Sequence, residues 1–176
     1  ASLEHPGVLV QHGPILRVVF GSRNPSYISP ILSAIQSDLC ESGIDGVLST
    51  HIQRDALEKF SYVSPIGAAG VYLHAVAGDF QKEGAARELF KSMIREISTL
   101  AAAMGYPFEK DYVKINLEIL SNLSADATTS MQRDIMEGKP SELDGLVMEP
   151  LRLAKKYSVS MPCYEEVANA LCPLEF

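Results

Sequence analysis

Thr128-Thr129-Ser130-Met131-Gln132-Arg133-Asp134-Ile135-Met136-Glu137-Gly138-Lys139-Pro140-Ser141-Glu142-Leu143-Asp144-Gly145 is the stretch on which the reading of the fold turns. Thr129 stands three residues before Gln132. That spacing predicts a capping box, with the threonine hydroxyl on one end of a helical turn and the glutamine side chain reaching back to the other. A helix is expected from about Ala127 to Met136, with Gly138 as its stop. Ser141-x-x-Asp144 is close to a second capping box, and a carboxylate at Glu142 is favoured near a helix N-terminus by the helix dipole. A further helix is therefore expected from near Ser141 to Tyr157, although Pro150 sits inside it.

Helical signals continue on both sides. Between about Lys82 and Met104 the apolar residues Ala86, Leu89, Phe90, Met93, Ile94, Ile97, Leu100 and Ala101 follow helical spacing, and Gly105 and Pro107 end the run. Arg54 to about Val76 reads as one long helix kinked at Pro65, and Glu109 to Leu120 as another. Pro162 is in a favoured first helical position and opens a last helix to about Leu171. Residues 53–176 thus read as an all-helical domain. Residues 1–52 differ: Val8 to Gln11, Leu16 to Phe20 and Val47 to Ile52 are short β-branched runs, and a helix from Ser26 to about Cys40 stops at Gly43. Three short strands cannot cover their own sheet, so this β-β-α-β unit reads as the tail of a larger one. The fold class expected is mainly α, with a small remnant of an α/β domain in front.

The composition excludes several functions. The formal charge is -7, with no basic stripe interleaved with aromatics, so no nucleic-acid partner is expected. The most apolar stretch, Val63 to Ala77, is too short and too interrupted by Pro65, Gly67, Gly70 and His74 to span a membrane. The opening residues lack a basic region followed by an apolar run, so no signal peptide is expected. The odd count of three cysteines, Cys40, Cys163 and Cys172, without zinc-type spacing, fits reduced thiols and a cytoplasmic protein. No histidine stands in a triad spacing, which leaves acyl transfer unsupported.

The segment from Thr128 to Gly145 resembles the C-terminal domain of ketopantoate reductases (2-dehydropantoate 2-reductases), which carries a Ser-Met pair, a glycine or basic turn and then Thr/Ser-Glu-Ile/Leu-Asp. Ala154-Lys155-Lys156-Tyr157 and Met161-Pro162 are similar to the link before that family's last helix. Gly43-Ile44-Asp45, Ile52 and Leu57-Glu58-Lys59-Phe60 resemble the junction between its two domains. The resemblance implies a helical domain of the 6-phosphogluconate-dehydrogenase-like type after the end of a Rossmann-type domain. It implies an NADP-dependent oxidoreductase of pantothenate biosynthesis that reduces ketopantoate or a related 2-oxo acid.

It also implies roles for particular residues. Lys59 matches the family's general acid. Reduction of a ketone builds an alkoxide, which needs a proton and a nearby positive charge, and a lysine supplies both. On residue type alone Lys59 reads as a solvated surface lysine. Ser130 lies twelve positions before Glu142, as in the family, where the serine binds substrate and the glutamate contacts cofactor and substrate. Without the resemblance, Ser130 is a helix-start hydroxyl and Glu142 a first-turn carboxylate.

Two family asparagines fall on Val63 and near Ala77. Ser64 could replace one of their hydrogen bonds, while Val63 cannot, which puts ketopantoate itself in question and admits another ketone. No G-x-G-x-x-G opens a βαβ unit, and neither Phe20-Gly21-Ser22-Arg23 nor Gly67-Ala68-Ala69-Gly70 is an equivalent. NADPH is accordingly expected to be bound mainly by a nucleotide-binding half that this chain lacks. The chain is expected to be a truncated fragment, inactive alone, and to form a homodimer. The rival reading is a non-catalytic helical interaction or dimerisation module.

Overall fold

The computed structural model describes residues 2–10, 16–24, 26 and 29–171. Gln11, the end of the first expected strand, and Cys172 lie outside the described residues. The chain forms two compact units, Ala1–Asp55 and Ala56–Phe176.

In the first unit, β1 (Ser2–His5) and β2 (Val8–Val10) form an antiparallel hairpin. It turns at Gly7, whose φ of 86° is a conformation glycine adopts without strain. β3 (Arg17–Phe20) and β4 (Asp45–Leu48) pair in parallel, joined by the crossover helix α1 (Pro30–Glu41). Sequence reading misses β1, whose Glu4 and His5 give no apolar alternation, so among the described residues the unit is β-β-β-α-β in two small sheets. The third predicted strand is shifted to Asp45–Leu48, because register with β3 sets its ends and Ile52 already begins the next helix. Helix α1 starts at Pro30, not at Ser26, which lies in a turn; proline fits the first helical position. Gly43 ends α1 at a φ of 78°, as expected. Val18 and Val19 point to opposite sides of β3, and each is 42% exposed, whereas α1 packs against β4, where Gln36 Nε2 donates to the Gly46 carbonyl at 3.0 Å.

The second unit is built from helices: α2 (Ile52–Leu73), which begins at the end of the first unit, α3 (Ala77–Gln81), α4 (Ala85–Ala103), α5 (Tyr112–Ser121), α6 (Ser130–Met136), a π-helical turn (Asp144–Met148), α7 (Glu149–Tyr157) and α8 (Pro162–Leu171). The protein is mainly α. Among the described residues no helix is long and apolar enough to cross a membrane.

Helix α2 is the centre of this unit. Nine of its residues between Ser61 and Val71 are buried, where a surface helix would bury one face. It stays helical through Pro65, which has no N–H to give to the carbonyl four residues back. That carbonyl belongs to Ser61, and Asn116 of α5 takes over: its Nδ2 donates to the Ser61 carbonyl oxygen at 3.0 Å and meets Ser61 Oγ at 3.1 Å. Pro150 raises the same problem in the helix expected from Ser141 to Tyr157. The chain answers with the π-helical turn, in which the Glu149 N–H reaches back to the Asp144 carbonyl, and α7 then starts with Pro150 in its first turn.

Other boundaries differ from expectation: α5 begins at Tyr112 rather than Glu109, behind its Asp111 cap, and α6 at Ser130 rather than Ala127, behind its Thr129 cap. The helix expected from Lys82 begins at Ala85, behind Gly84 at a φ of 153°, and the short α3 precedes it. α2 ends at Leu73, where His74 takes a left-handed φ of 52°. The last helix starts at Pro162 as expected, and Glu96 of α4 caps it from outside, accepting from the Cys163 N–H at 2.8 Å and the Tyr164 N–H at 3.1 Å.

Replacing Asn116 by alanine strands the Ser61 carbonyl in the interior. Asn116→Ala is expected to lower the unfolding free energy by about 1–3 kcal/mol, read from urea denaturation, with the far-ultraviolet circular dichroism of the native state unchanged.

Candidate functional site

The helix that holds the core together also carries the lysine. Lys59 lies on the exposed side of α2, just before its buried part, and its Nζ is 6.0 Å from the ring centroid of Tyr62, three residues on and on the same helical face. The Tyr62 ring is fixed from behind by the fully buried Phe90 of α4, edge to face at 6.0 Å and 84°. Tyr62 in turn lines a cavity of about 160 Å³, together with Ile66, Ala77, Phe80, Thr128, Thr129 and Gln132, among others.

The opposite wall is the start of α6, and the predicted capping box forms there. The Gln132 N–H donates to Thr129 Oγ1 at 3.2 Å, and the Thr129 N–H donates to Gln132 Oε1 at 2.9 Å. Gln132 Nε2 also donates to the Ala75 carbonyl at 2.7 Å, tying α6 to the end of α2. This contact needs Gly70, because a Cβ there would lie 2.7–2.8 Å from the Gln132 carboxamide, which is held by its bonds and cannot yield.

The expected site residues divide accordingly. Ser130 is exposed at the first residue of α6, next to Thr129 in the cavity wall. Lys59 borders the same region through Tyr62. Glu142 is exposed just ahead of the π-helical turn and is not among the residues lining this cavity. Ala77 does line it, so a methyl group stands in the wall where the family resemblance would place an asparagine.

Ser64 departs from the expectation that it binds substrate. It is fully buried, and its hydroxyl meets the Leu146 carbonyl and the Tyr164 hydroxyl, each at 2.5 Å. Leu146 is the residue whose carbonyl loses its i+4 donor to Pro150. A carbonyl can only accept, so the single Ser64 proton goes to Leu146 and Tyr164 donates to Ser64. Burial pushes the Tyr164 phenol well above its ordinary pKa, which keeps that proton in place. Ser64 thus mends the helix at Pro150 as Asn116 mends it at Pro65. Tyr62, which the sequence does not single out, is an aromatic residue one helical turn after Lys59 and lines the cavity.

The sequence profile of ketopantoate reductase PanE/ApbA C-terminal domains matches residues 51–175. The chain belongs to this family. An uncharacterized oxidoreductase of Bacillus subtilis, YkpB, is 23% identical over 167 residues, which are 95% of this chain and 55% of that protein. Among solved structures, 2-dehydropantoate 2-reductase from Methylococcus capsulatus is similar with a TM-score of 0.81 at 22% identity, over 93% of this chain and 52% of that one. A ternary structure of D-mandelate dehydrogenase with NADH and anilino(oxo)acetate is similar with a TM-score of 0.80 at 17% identity, over 96% and 70%. At these identities the likeness is one of fold: the two-unit chain has the architecture of the ketopantoate reductase C-terminal domain with the small strands ahead of it. It spans about half the length of the ketopantoate reductases it matches.

If Ser64 acts within the fold, Ser64→Ala leaves the Leu146 carbonyl without its donor. The thermal midpoint of the unliganded protein should then fall, corresponding to about 1–3 kcal/mol. An unchanged midpoint would mean that the hydroxyl is held in reserve for a ligand.

Proposed function

We propose that this chain is the substrate-side part of an NADPH-dependent reductase that converts a small 2-oxo acid, ketopantoate or a relative with an apolar substituent, to the 2-hydroxy acid. The observation that carries the reading is Lys59, an exposed ammonium on a rigidly anchored helix of a ketopantoate reductase domain, beside the Tyr62 wall of a cavity. As negative charge builds on the substrate carbonyl oxygen, Lys59 stabilises it and delivers the proton, then regains one from solvent. Ser130 holds the substrate from the start of α6, and Glu142 orients substrate and cofactor.

The described residues do not fit a dinucleotide, because β3 and α1 are not joined by the glycine-rich turn that cradles a pyrophosphate. In this reading residues 1–52 are the end of a nucleotide-binding domain and residues 53–176 the substrate domain. Further strands of the parent sheet would pair along the edge of this small sheet, and its helices would cover the part-exposed Val18 and Val19 of β3. The hydride then comes from a nicotinamide held outside this chain, and the fragment alone is inactive. The setting is the cytoplasm and, for ketopantoate, pantothenate biosynthesis. The assembly is a homodimer; the Staphylococcus aureus ketopantoate reductase of like fold is dimeric.

A second reading keeps the reaction and changes the substrate. Ala77 in the cavity wall favours it, because a methyl group there cannot hold a substrate hydroxyl. The D-mandelate dehydrogenase of like fold, solved with anilino(oxo)acetate, is a relative of that kind.

The test is NADPH oxidation by the full-length protein against ketopantoate and a panel of 2-oxo acids, with and without Lys59→Ala. A fall in kcat of about 10²- to 10⁴-fold with folding intact is expected. Unchanged turnover in the variant removes Lys59 from the chemistry, and no turnover in the parent points to a non-catalytic helical module.

A further inference from the structure

Tyr62 carries an anomaly. Its hydroxyl is buried and makes no hydrogen bond. Elsewhere in this core the buried polar side chains are bonded: Ser61 and Asn116 to each other, Ser64 to Leu146 and Tyr164, Gln132 to Thr129 and Ala75. A buried hydroxyl without a partner is disfavoured by the full cost of its lost hydration, and native folds contain few of them. The cavity's other polar walls are bonded elsewhere: Thr129 and Gln132 to one another, and Thr128 Oγ1 accepts from Arg133 at 3.4 Å.

The hydroxyl itself is closed to solvent, but the residue that carries it lines a cavity, so a ligand seated there reaches it by displacing what covers it. The ring belongs to the cavity wall and packs edge to face on Phe90. Burial pushes the phenol above its ordinary pKa, so at neutral pH it is an uncharged donor. Lys59 Nζ stands 6.0 Å from the same ring. A small molecule with two oxygens on neighbouring carbons could present one to each group, and its carbon substituent would meet Ile66, Ala77 and Phe80. The carboxylate and ketone of a 2-oxo acid have this arrangement.

We infer that Tyr62 is a substrate-binding residue whose hydroxyl donates to an oxygen of the 2-oxo acid while the acid's apolar substituent occupies the cavity. This rests on the reductase reading above. It makes Tyr62 a determinant of specificity: the site recognises the acid through one neutral donor and one ammonium, and selects its substituent by apolar fit.

Tyr62→Phe keeps the ring, its contact with Phe90 and the cavity shape, and removes the hydroxyl alone. In the full-length reductase, assayed by NADPH oxidation with the 2-oxo acid the parent turns over best, KM should rise and kcat/KM should fall about 10- to 100-fold. The substrate-free variant should melt at the same or a higher temperature, because a buried unpaired group has been removed. An unchanged KM overturns the inference and makes the hydroxyl a packing defect. A lower melting temperature without substrate overturns it too, since the hydroxyl would then have a partner within the fold. Inactivity of the parent on every 2-oxo acid would instead sink the reductase reading, an outcome visible before the variant is made.

Discussion

The second unit depends on the mending of two proline-broken helices. Pro65 and Pro150 each remove a backbone donor from a helix that is buried at that point, and an unmatched carbonyl there is destabilising. Asn116 supplies the missing donor to Ser61, and Ser64 supplies it to Leu146. Because the donors come from other helices, each repair also fastens two elements together. α2 is tied to α5 by the first and to the π-helical turn by the second, with Tyr164 adding α8 through the Ser64 hydroxyl.

These ties explain why a lysine at the solvent edge of α2 can be held in a defined place. Lys59 lies two residues before Ser61 and five before Ser64, so both anchors are within about a turn and a half of it. Tyr62 lies between the anchors, and its ring is clamped by Phe90. On the far side of the cavity, Gln132 locks the start of α6 to the carbonyl at the end of α2, across a gap that Gly70 leaves open. The flexible part of the candidate site is thus the lysine side chain, and its mounting is rigid.

Much of this is legible in the sequence where the physics is local. The Thr129 and Gln132 capping box, the start at Pro162, the stop at Gly43 and the apolar spacing of α4 depend on residues a few positions apart, and all are found. What sequence alone misses depends on partners far along the chain. Ser64 reads as a polar group for a substrate, yet its partners are 82 and 100 residues away. The proline in α2 predicts a kink, and the compensating Asn116 lies 55 residues from Ser61. Sequence spacing gives no reason to expect a π-helical turn ahead of Pro150, because the choice between a break and a register change depends on what can capture the Leu146 carbonyl. Tyr62 is invisible for the opposite reason: it stands out by the partner it does not have.

The composition of α2 bears on how the protein is made. Its buried part contains Pro65, Gly67 and Gly70. Relative to alanine, a proline in a helix interior costs about 3 kcal/mol and each glycine about 1 kcal/mol. Such a segment does not hold a helix by itself; its helicity is imposed by α4, α5, α6 and α8. All of these follow it in the chain, so residues 52–73 leave the ribosome before any of their supports exists. The helix bearing Lys59 therefore draws its stability from partners made after it, which ties the mounting of the lysine to the folding of the whole helical unit.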